Sequence, residues 1–413
     1  MRGEPMTDNR LNGADFVRAA ACLTVLFHHL AQRMSWQDQL GGVEWFRVFA
    51  QIGTFGVAMF FVLSGFLLSR PFWQALDRGE PAPSLRVYAM RRAARILPGF
   101  WLALLVTFVL SITVFGAVLD AELVLRLVSG IFTVADWHWI TLFPVEVNGP
   151  LWSISFEVTS YLLLPLGFAT LIFLGRWSGQ GWQSRLMWLG VIGLALAAHW
   201  LFTRYYRVDM HRRGWDYGLI GGAKYWMPRF NPFAFFAMFA IGALAGGLQV
   251  RWAKYRHALF DLVALAAFAW GIYLMQEQLS AKTADGWGWL GVPYGFPWFV
   301  LAVGLFLSSS PSSAVVGQLL DNPLTRYIAK ISFGIYIWHY PVLELVRVYW
   351  DPQIDHGQAS DPIRFVVTSS IITVLTFTVA HLSYHLVENP VIQWARGKER
   401  RGAGSATIPA AAE

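Results

Sequence analysis

Arg18 and His29 stand eleven residues apart, and at about 100° per residue a helix returns both side chains to nearly the same face. A rise of 1.5 Å per residue puts them roughly 16 Å apart along that face, with His28 pointing elsewhere. The run around them is otherwise apolar. In hydrocarbon an ionisable side chain facing lipid costs on the order of a few kcal/mol, so such residues face a bundle interior or a cavity. A buried polar pair that only ties helices together is the competing structural reading. Ser153 and Glu157, in Trp152-Ser153-Ile154-Ser155-Phe156-Glu157, lie four residues apart on one face of another apolar run. His339 closes Ile337-Trp338-His339 just before Pro341, where a satisfied histidine beside a proline kink is the plainer alternative. A histidine near a carboxylate is the usual kit of a general base: the imidazole takes the proton, and the carboxylate orients and stabilises the imidazolium. Arg91 and Arg95 share a face with Arg92 beside them, and guanidinium forks suit phosphates; a cluster that merely anchors the chain at the inner membrane surface explains their charge as well. His381 and His385 share a face too, but no third ligand type accompanies them, so no metal is expected. Ser153 has no positioned base of its own and is not read as a nucleophile.

The elements that must hold these groups are membrane spans. The 413 residues are 56% hydrophobic and 14% charged, with a mean hydropathy of +0.45, too apolar for an ordinary soluble protein. The net charge of +7 falls mostly between apolar runs and suits loops facing anionic headgroups; no nucleic-acid-reading module is present. A single cysteine, Cys22, excludes an internal disulfide framework and a cysteine-based zinc site. About 20 apolar residues cross hydrocarbon as a helix. Runs near that length at 14–34, 50–70, 94–116, 150–174, 186–203, 231–250, 257–276, 289–308, 326–348 and 364–387 predict an all-α bundle of about ten spans. The first run lacks a cleavage site and reads as a retained anchor.

Basic residues set the orientation, because positively charged loops stay cytoplasmic. With both termini inside, the cytoplasmic segments hold Arg70, Arg78, Arg86, Arg91, Arg92 and Arg95, then Arg176 and Arg185, Arg251, Lys254 and Arg256, and finally Arg396, Lys398, Arg400 and Arg401. Segment 204–229, with six Lys and Arg among Tyr and Trp, breaks the pattern on the outside and reads as an interfacial segment or an anionic-ligand surface. On this topology His29, Glu157 and His339 are expected to converge in one outer layer, while the three arginines sit at the inner mouth. Residues 1–390 are expected to form one membrane domain, followed by a short, basic, disordered tail at 391–413.

Taken in order, six segments resemble the membrane-bound acyltransferase family 3, which includes O-acetyltransferases of lipopolysaccharide O-antigen and other cell-surface glycans. Arg18 through His29 is similar to the family's opening arginine, ten residues, then histidine, and Leu63-Ser64-Gly65-Phe66 to its second-span signature. Arg92-Ala93-Ala94-Arg95-Ile96-Leu97-Pro98, Gly149-Pro150-Leu151-Trp152-Ser153 with Glu157, Ser332 through Tyr336 to His339, and Val387-Glu388-Asn389-Pro390 resemble the rest. The chain departs from the family at Ala58 and Val158, where acidic residues are frequent, which touches acceptor recognition and not the reaction class. It is also too short for the hydrolase-like domain fused to some relatives, so it is expected to act alone.

The residues and the resemblance together imply transfer of an acyl group, acetyl above all, from cytoplasmic acyl-CoA to a hydroxyl of a glycan. No resident cofactor is expected. Arg91, Arg92 and Arg95 would hold CoA phosphates, Arg18 would line the channel, His29 would deprotonate the acceptor, and Glu157 would orient His29. Trp152, Ser153, Tyr336 and His339 would support the acceptor site. The expected setting is a bacterial cytoplasmic membrane, crossed several times. The rival reading is a transporter or flippase for an anionic or lipid-linked glycan, because intramembrane Arg, His and Glu also mark substrate pathways.

Overall fold

The structure is a computed structural model, and it describes residues 11–35, 53–175, 181–280 and 287–405. Among the described residues the secondary structure is helical, with one isolated bridge between Met34 and Ala359. In chain order the helices are α1 (Ala14–Ala31), α2 (Phe55–Arg78), α3 (Leu85–Thr113), α4 (Ala121–Ile131) and α5 (Trp152–Gly175). They continue as α6 (Trp182–Tyr205), α7 (Gly218–Trp226), α8 (Pro232–Trp252), α9 (Ala258–Ser280) and α10 (Trp298–Ser309). The last four are α11 (Val316–Leu320), α12 (Pro323–Tyr349), α13 (Pro362–Ser383) and α14 (Asn389–Ser405).

Among the described residues eight helical stretches are long and apolar enough to cross a membrane: α1, α2, α3, α5, α6, α8, α9, and α13 running on into α14. Two of the ten expected spans fall short of that measure. The run at 289–308 is α-helical only from Trp298, in the twelve-residue α10, because Leu290, Gly291, Tyr294 and Gly295 take positive φ and turn the chain ahead of it. α12 is long enough at 27 residues but carries Arg326, Lys330, His339, Glu344 and Arg347. It is sheltered by packing against α1 and α13. The second expected span, from residue 50, begins outside the described residues and its helix runs on past Pro71 to Arg78.

Several starts are written locally. Asn231-Pro232, Asn322-Pro323 and Asp361-Pro362 open α8, α12 and α13, with the Asn or Asp side chain accepting from backbone N–H groups of the first turn. Proline at the first helical position lacks a donor that would otherwise go unpaired.

α8 is the most enclosed span, with 78% of its crossing window buried against 22% for α9. It presses on α2 through glycine: a Cβ added at Gly65 would stand 1.9 Å from the Phe239 carbonyl oxygen, and one at Gly242 2.0 Å from that of Val62. Close backbone approach through small residues is how membrane helices gain packing without a hydrophobic drive. Outside this centre, Leu259, Leu262 and Leu265 of α9 and Leu194 of α6 are exposed, a surface suited to lipid.

The basic segment at 204–229 folds back as a turn and α7. Lys224 is buried there, paired with Asp209 at 3.1 Å and set over the Trp139 ring, while Arg229 lies over Trp287. At the other limit of the chain, residues 391–405, expected as disordered tail, are helical in α14, because Asn389-Pro390 follows α13 directly through a π-helical turn at Tyr384–Glu388 and the helix continues.

Candidate active site

A cavity of about 1080 Å³ opens at the end of the bundle where α1, α3 and α12 begin. Arg18 on α1 and Arg91, Arg92 and Arg95 on α3 line it, so the four arginines singled out by spacing meet in one space. Arg18 pairs with Asp15 at 3.6 Å, one turn back on its own helix. Arg95 lies 3.6 Å from the fully buried carboxylate of Glu388, and Arg91 grips both oxygens of Glu399 of α14 through Nε and Nη2. The π-helical turn between α13 and α14 carries Glu388, and an extra residue in a helical turn is a common way to re-aim a functional side chain.

The inner end of the cavity is lined by Ser64 of α2, Ser153, Glu157 and Tyr161 of α5, and Tyr336 of α12. The Tyr336 hydroxyl donates to the Pro150 carbonyl at 2.9 Å and is hydrogen-bonded to Ser153 Oγ at 2.6 Å, which itself lies 3.4 Å from the same carbonyl. Pro150 belongs to the turn Gly149–Leu151 that leads into α5. Asn148 fixes that turn to α12 by donating to the Ile337 carbonyl at 2.9 Å. Trp152 faces away from this floor, its ring 5.2 Å from Trp226 and 5.1 Å from Phe230.

His29 and His339 lie one layer beyond the floor, with the His339 ring 6.0 Å from that of Tyr336. His339 Nδ1 sits 2.6 Å from the Tyr336 carbonyl and 3.1 Å from that of Ile335, so this nitrogen carries the hydrogen. Its Nε2 then presents a lone pair to His29 Nδ1, 3.0 Å away. His29 Nδ1 is also 3.0 Å from the Val25 carbonyl. Both neighbours of that nitrogen are acceptors, so it is the protonated one, and the lone pair of neutral His29 falls on Nε2. A base with its other ring nitrogen held in this way is the arrangement general-base catalysis uses.

Glu157 is not in this pair. Its Oε1 accepts from Ser64 Oγ at 3.0 Å and from the Tyr161 hydroxyl, and it faces the cavity. His339 stands where the contact of Glu157 with His29 was expected, while Glu157 Oε1 is held by Ser64 of α2 and by Tyr161 of its own helix. Of the three groups expected to converge, two do. Ser64 lies in the second-span segment that carries the family resemblance but was given no role in the site, and Tyr161 was not singled out; the four-residue step from Glu157 to Tyr161 was the available signal.

Beyond His29, charge pairs tie the chain just past α1 to α12. Buried Arg33 donates to Glu344 at 2.6 Å, Arg347 to the other oxygen of Glu344 at 2.8 Å, and Asp355 lies 3.6 Å from Arg33. The loop after α12 is tied to the same end by Ala359 N–H donating to the Arg33 carbonyl at 2.9 Å. His381 and His385 have ring centres 4.4 Å apart, and Tyr327 contacts His381. Among the described residues no group of three or more His, Cys, Asp or Glu is placed to hold a metal.

A family model described as an acyltransferase domain matches residues 11–384. The chain is 25% identical over 396 residues to the O-acetyltransferase OatA of Staphylococcus aureus, covering 92% of this chain and 57% of that protein. It is 24% identical over 398 residues to the peptidoglycan O-acetyltransferase OatA of Listeria monocytogenes, covering 91% and 55%. A putative peptidoglycan O-acetyltransferase, YrhL of Bacillus subtilis, is 24% identical over 398 residues, covering 92% and 54%. The chain thus spans just over half the length of these relatives. No solved structure matches it.

Proposed function

The chain belongs to the acyltransferase-domain family, and from that membership we propose that it transfers an acetyl group from acyl-CoA to a hydroxyl of a cell-surface glycan. The arginine-lined end faces the cytoplasm in this reading, as the positive-inside pattern requires, and the setting is a bacterial cytoplasmic membrane. The names of the Listeria and Bacillus relatives point the acceptor toward peptidoglycan rather than lipopolysaccharide.

The observation that carries the proposal is the sequence of groups along one cavity: arginines at its mouth, a hydroxyl-lined floor, and an oriented histidine pair just past it. Arg91, Arg92 and Arg95 bind the donor phosphates, and the thioester extends toward Ser153 and Tyr336. The acceptor hydroxyl approaches from the opposite side and gives its proton to His29 Nε2 as its oxygen attacks the thioester carbonyl carbon. The C–S bond breaks, the ester forms, and the proton on His29 passes to the departing CoA thiolate. Glu157 stays on the donor side, bridging α2 and α5 through Ser64 and Tyr161.

The test is turnover of labelled acetyl-CoA by the purified protein with a glycan extract. Label in an ester is the expected result, and His29→Ala should abolish it while the variant still inserts and folds. Ester formation by His29→Ala would remove the histidine from the chemistry. Label remaining on CoA with the unaltered protein would return the reading to glycan transport.

A further inference from the structure

Cations crowd the cavity mouth beyond what α3 supplies. Arg326 and Lys330 reach it from α12, and Arg396 and Arg400 from α14. On α14 the lining residues Ile392, Ala395, Arg396, Glu399 and Arg400 recur at three- and four-residue steps, so one face of this helix forms a wall of the cavity.

These cations divide into two sets. Arg18, Arg91, Arg95 and Arg326 each have a carboxylate partner, in Asp15, Glu399, Glu388 and Asp321. Among the described residues no salt bridge supplies one to Arg92, Lys330, Arg396 or Arg400. Lys330 lies 5.1 Å from the centre of the Tyr384 ring, and Arg95 lies 5.9 Å from the same ring, so charges from α12 and α3 converge on it. A concave surface with an excess of one charge concentrates the opposite ion.

Depth orders the cluster. Lys330, Arg396 and Arg400 are exposed, whereas Tyr336 and Ser153 at the floor are buried. Along α12 the step from Lys330 to Tyr336 is about 9 Å. A donor that enters thioester first leaves its diphosphate beside α3 and its far end at the mouth.

We propose that Lys330, Arg396 and Arg400 form a subsite for a phosphomonoester at the far end of the donor, the 3′-phosphate that CoA carries on its ribose. A phosphomonoester carries about −1.5 to −2 at neutral pH and offers three acceptor oxygens, which two guanidinium groups and an ammonium match. The subsite selects CoA over carriers lacking that phosphate. It rests on the acyl-CoA reading of the donor.

The experiment titrates the full-length protein in detergent with CoA and with dephospho-CoA. CoA is expected to bind at least about tenfold more tightly. In R396Q/R400Q the preference should fall below about threefold through loss of CoA affinity, and saturable dephospho-CoA binding reports that the site is still formed. Lys330→Gln, on a different helix, should narrow the preference as well. Equal affinities in the unaltered protein, or a preference untouched in both variants, overturns the subsite and leaves the donor reading standing. Absence of saturable binding of either compound by the unaltered protein overturns the donor reading and the subsite with it.

Discussion

His29 is oriented by a neutral imidazole, which differs in kind from a carboxylate partner. A carboxylate would fix the ring and also attract the imidazolium; His339 fixes the ring without adding a negative charge inside the bundle, where an unpaired charge is expensive. Its own orientation comes from two backbone carbonyls of α12, at 2.6 and 3.1 Å. His339→Phe should keep the ring volume but remove the acceptor, lowering kcat by about 10- to 10³-fold, a part of the roughly 10²- to 10⁴-fold that general-base catalysis supplies. Because His339 does not line the cavity, KM for the donor should stay near its original value. His339→Gln restores an acceptor and should recover part of the loss. Steady-state kinetics decide it: a Phe variant with unchanged kcat, or a Gln variant no better than Phe, rules out positioning. Glu157 shows the limit of reading such pairs from spacing. Its depth follows from the topology, but which neighbour meets it depends on how α5 is rotated against α1 and α2.

Between elements, the contact of α2 with α8 sets where Ser64 and the cavity wall stand. Gly65 follows Ser64 directly, and a side chain there would enter the α8 backbone at Phe239. Gly65→Leu should therefore separate the helices and destabilise the protein by at least 1–3 kcal/mol, on the order of an overpacked core. Gly190→Ala is the contrast, since a Cβ at this α6 glycine meets nothing within 4 Å. It should be neutral or stabilising by about 0.5–1 kcal/mol, because alanine loses less freedom than glycine on entering a helix. Thermal unfolding in detergent compares the two; a Gly65→Leu protein melting with the original would mean that α2 and α8 are not held by close contact. The proximity of Gly to Ser64 in Leu63-Ser64-Gly65-Phe66 marks close packing in the sequence, but the identity of the partner helix does not appear there.

At the scale of the whole molecule, the two ends of the bundle are chemically distinct, with an open cationic mouth at one and the buried Arg33–Glu344 ion pair at the other. Among the turns connecting spans, Ala135–Trp137 is pinned to α5 by Asp136, which accepts from Thr159 at 2.8 Å while its second oxygen is buried without a partner. Burial pushes the Asp136 carboxyl up to about 6, above its usual 3.8. The folded protein therefore holds this proton more tightly than the unfolded chain. The contribution is full below about pH 4 and is lost as pH rises through 6. Asp136→Asn should remove that slope and stabilise the protein on the order of a few kcal/mol at neutral pH. Melting temperatures of both proteins from pH 4 to 8 check it, and parallel curves would show that Asp136 does not titrate in this window. The sequence by itself determined an all-helical membrane bundle, the starts of α8, α12 and α13, and the residue types available for chemistry, because apolar length and Asx-Pro caps act within a few turns of one helix. Only the tertiary structure decided that His339 and not Glu157 meets His29, and that α14 walls the cavity. Those contacts join residues 310 apart in the first case and 308 in the second, from Arg91 to Glu399. They depend on which helices pack side by side and at what rotation, which no local pattern specifies.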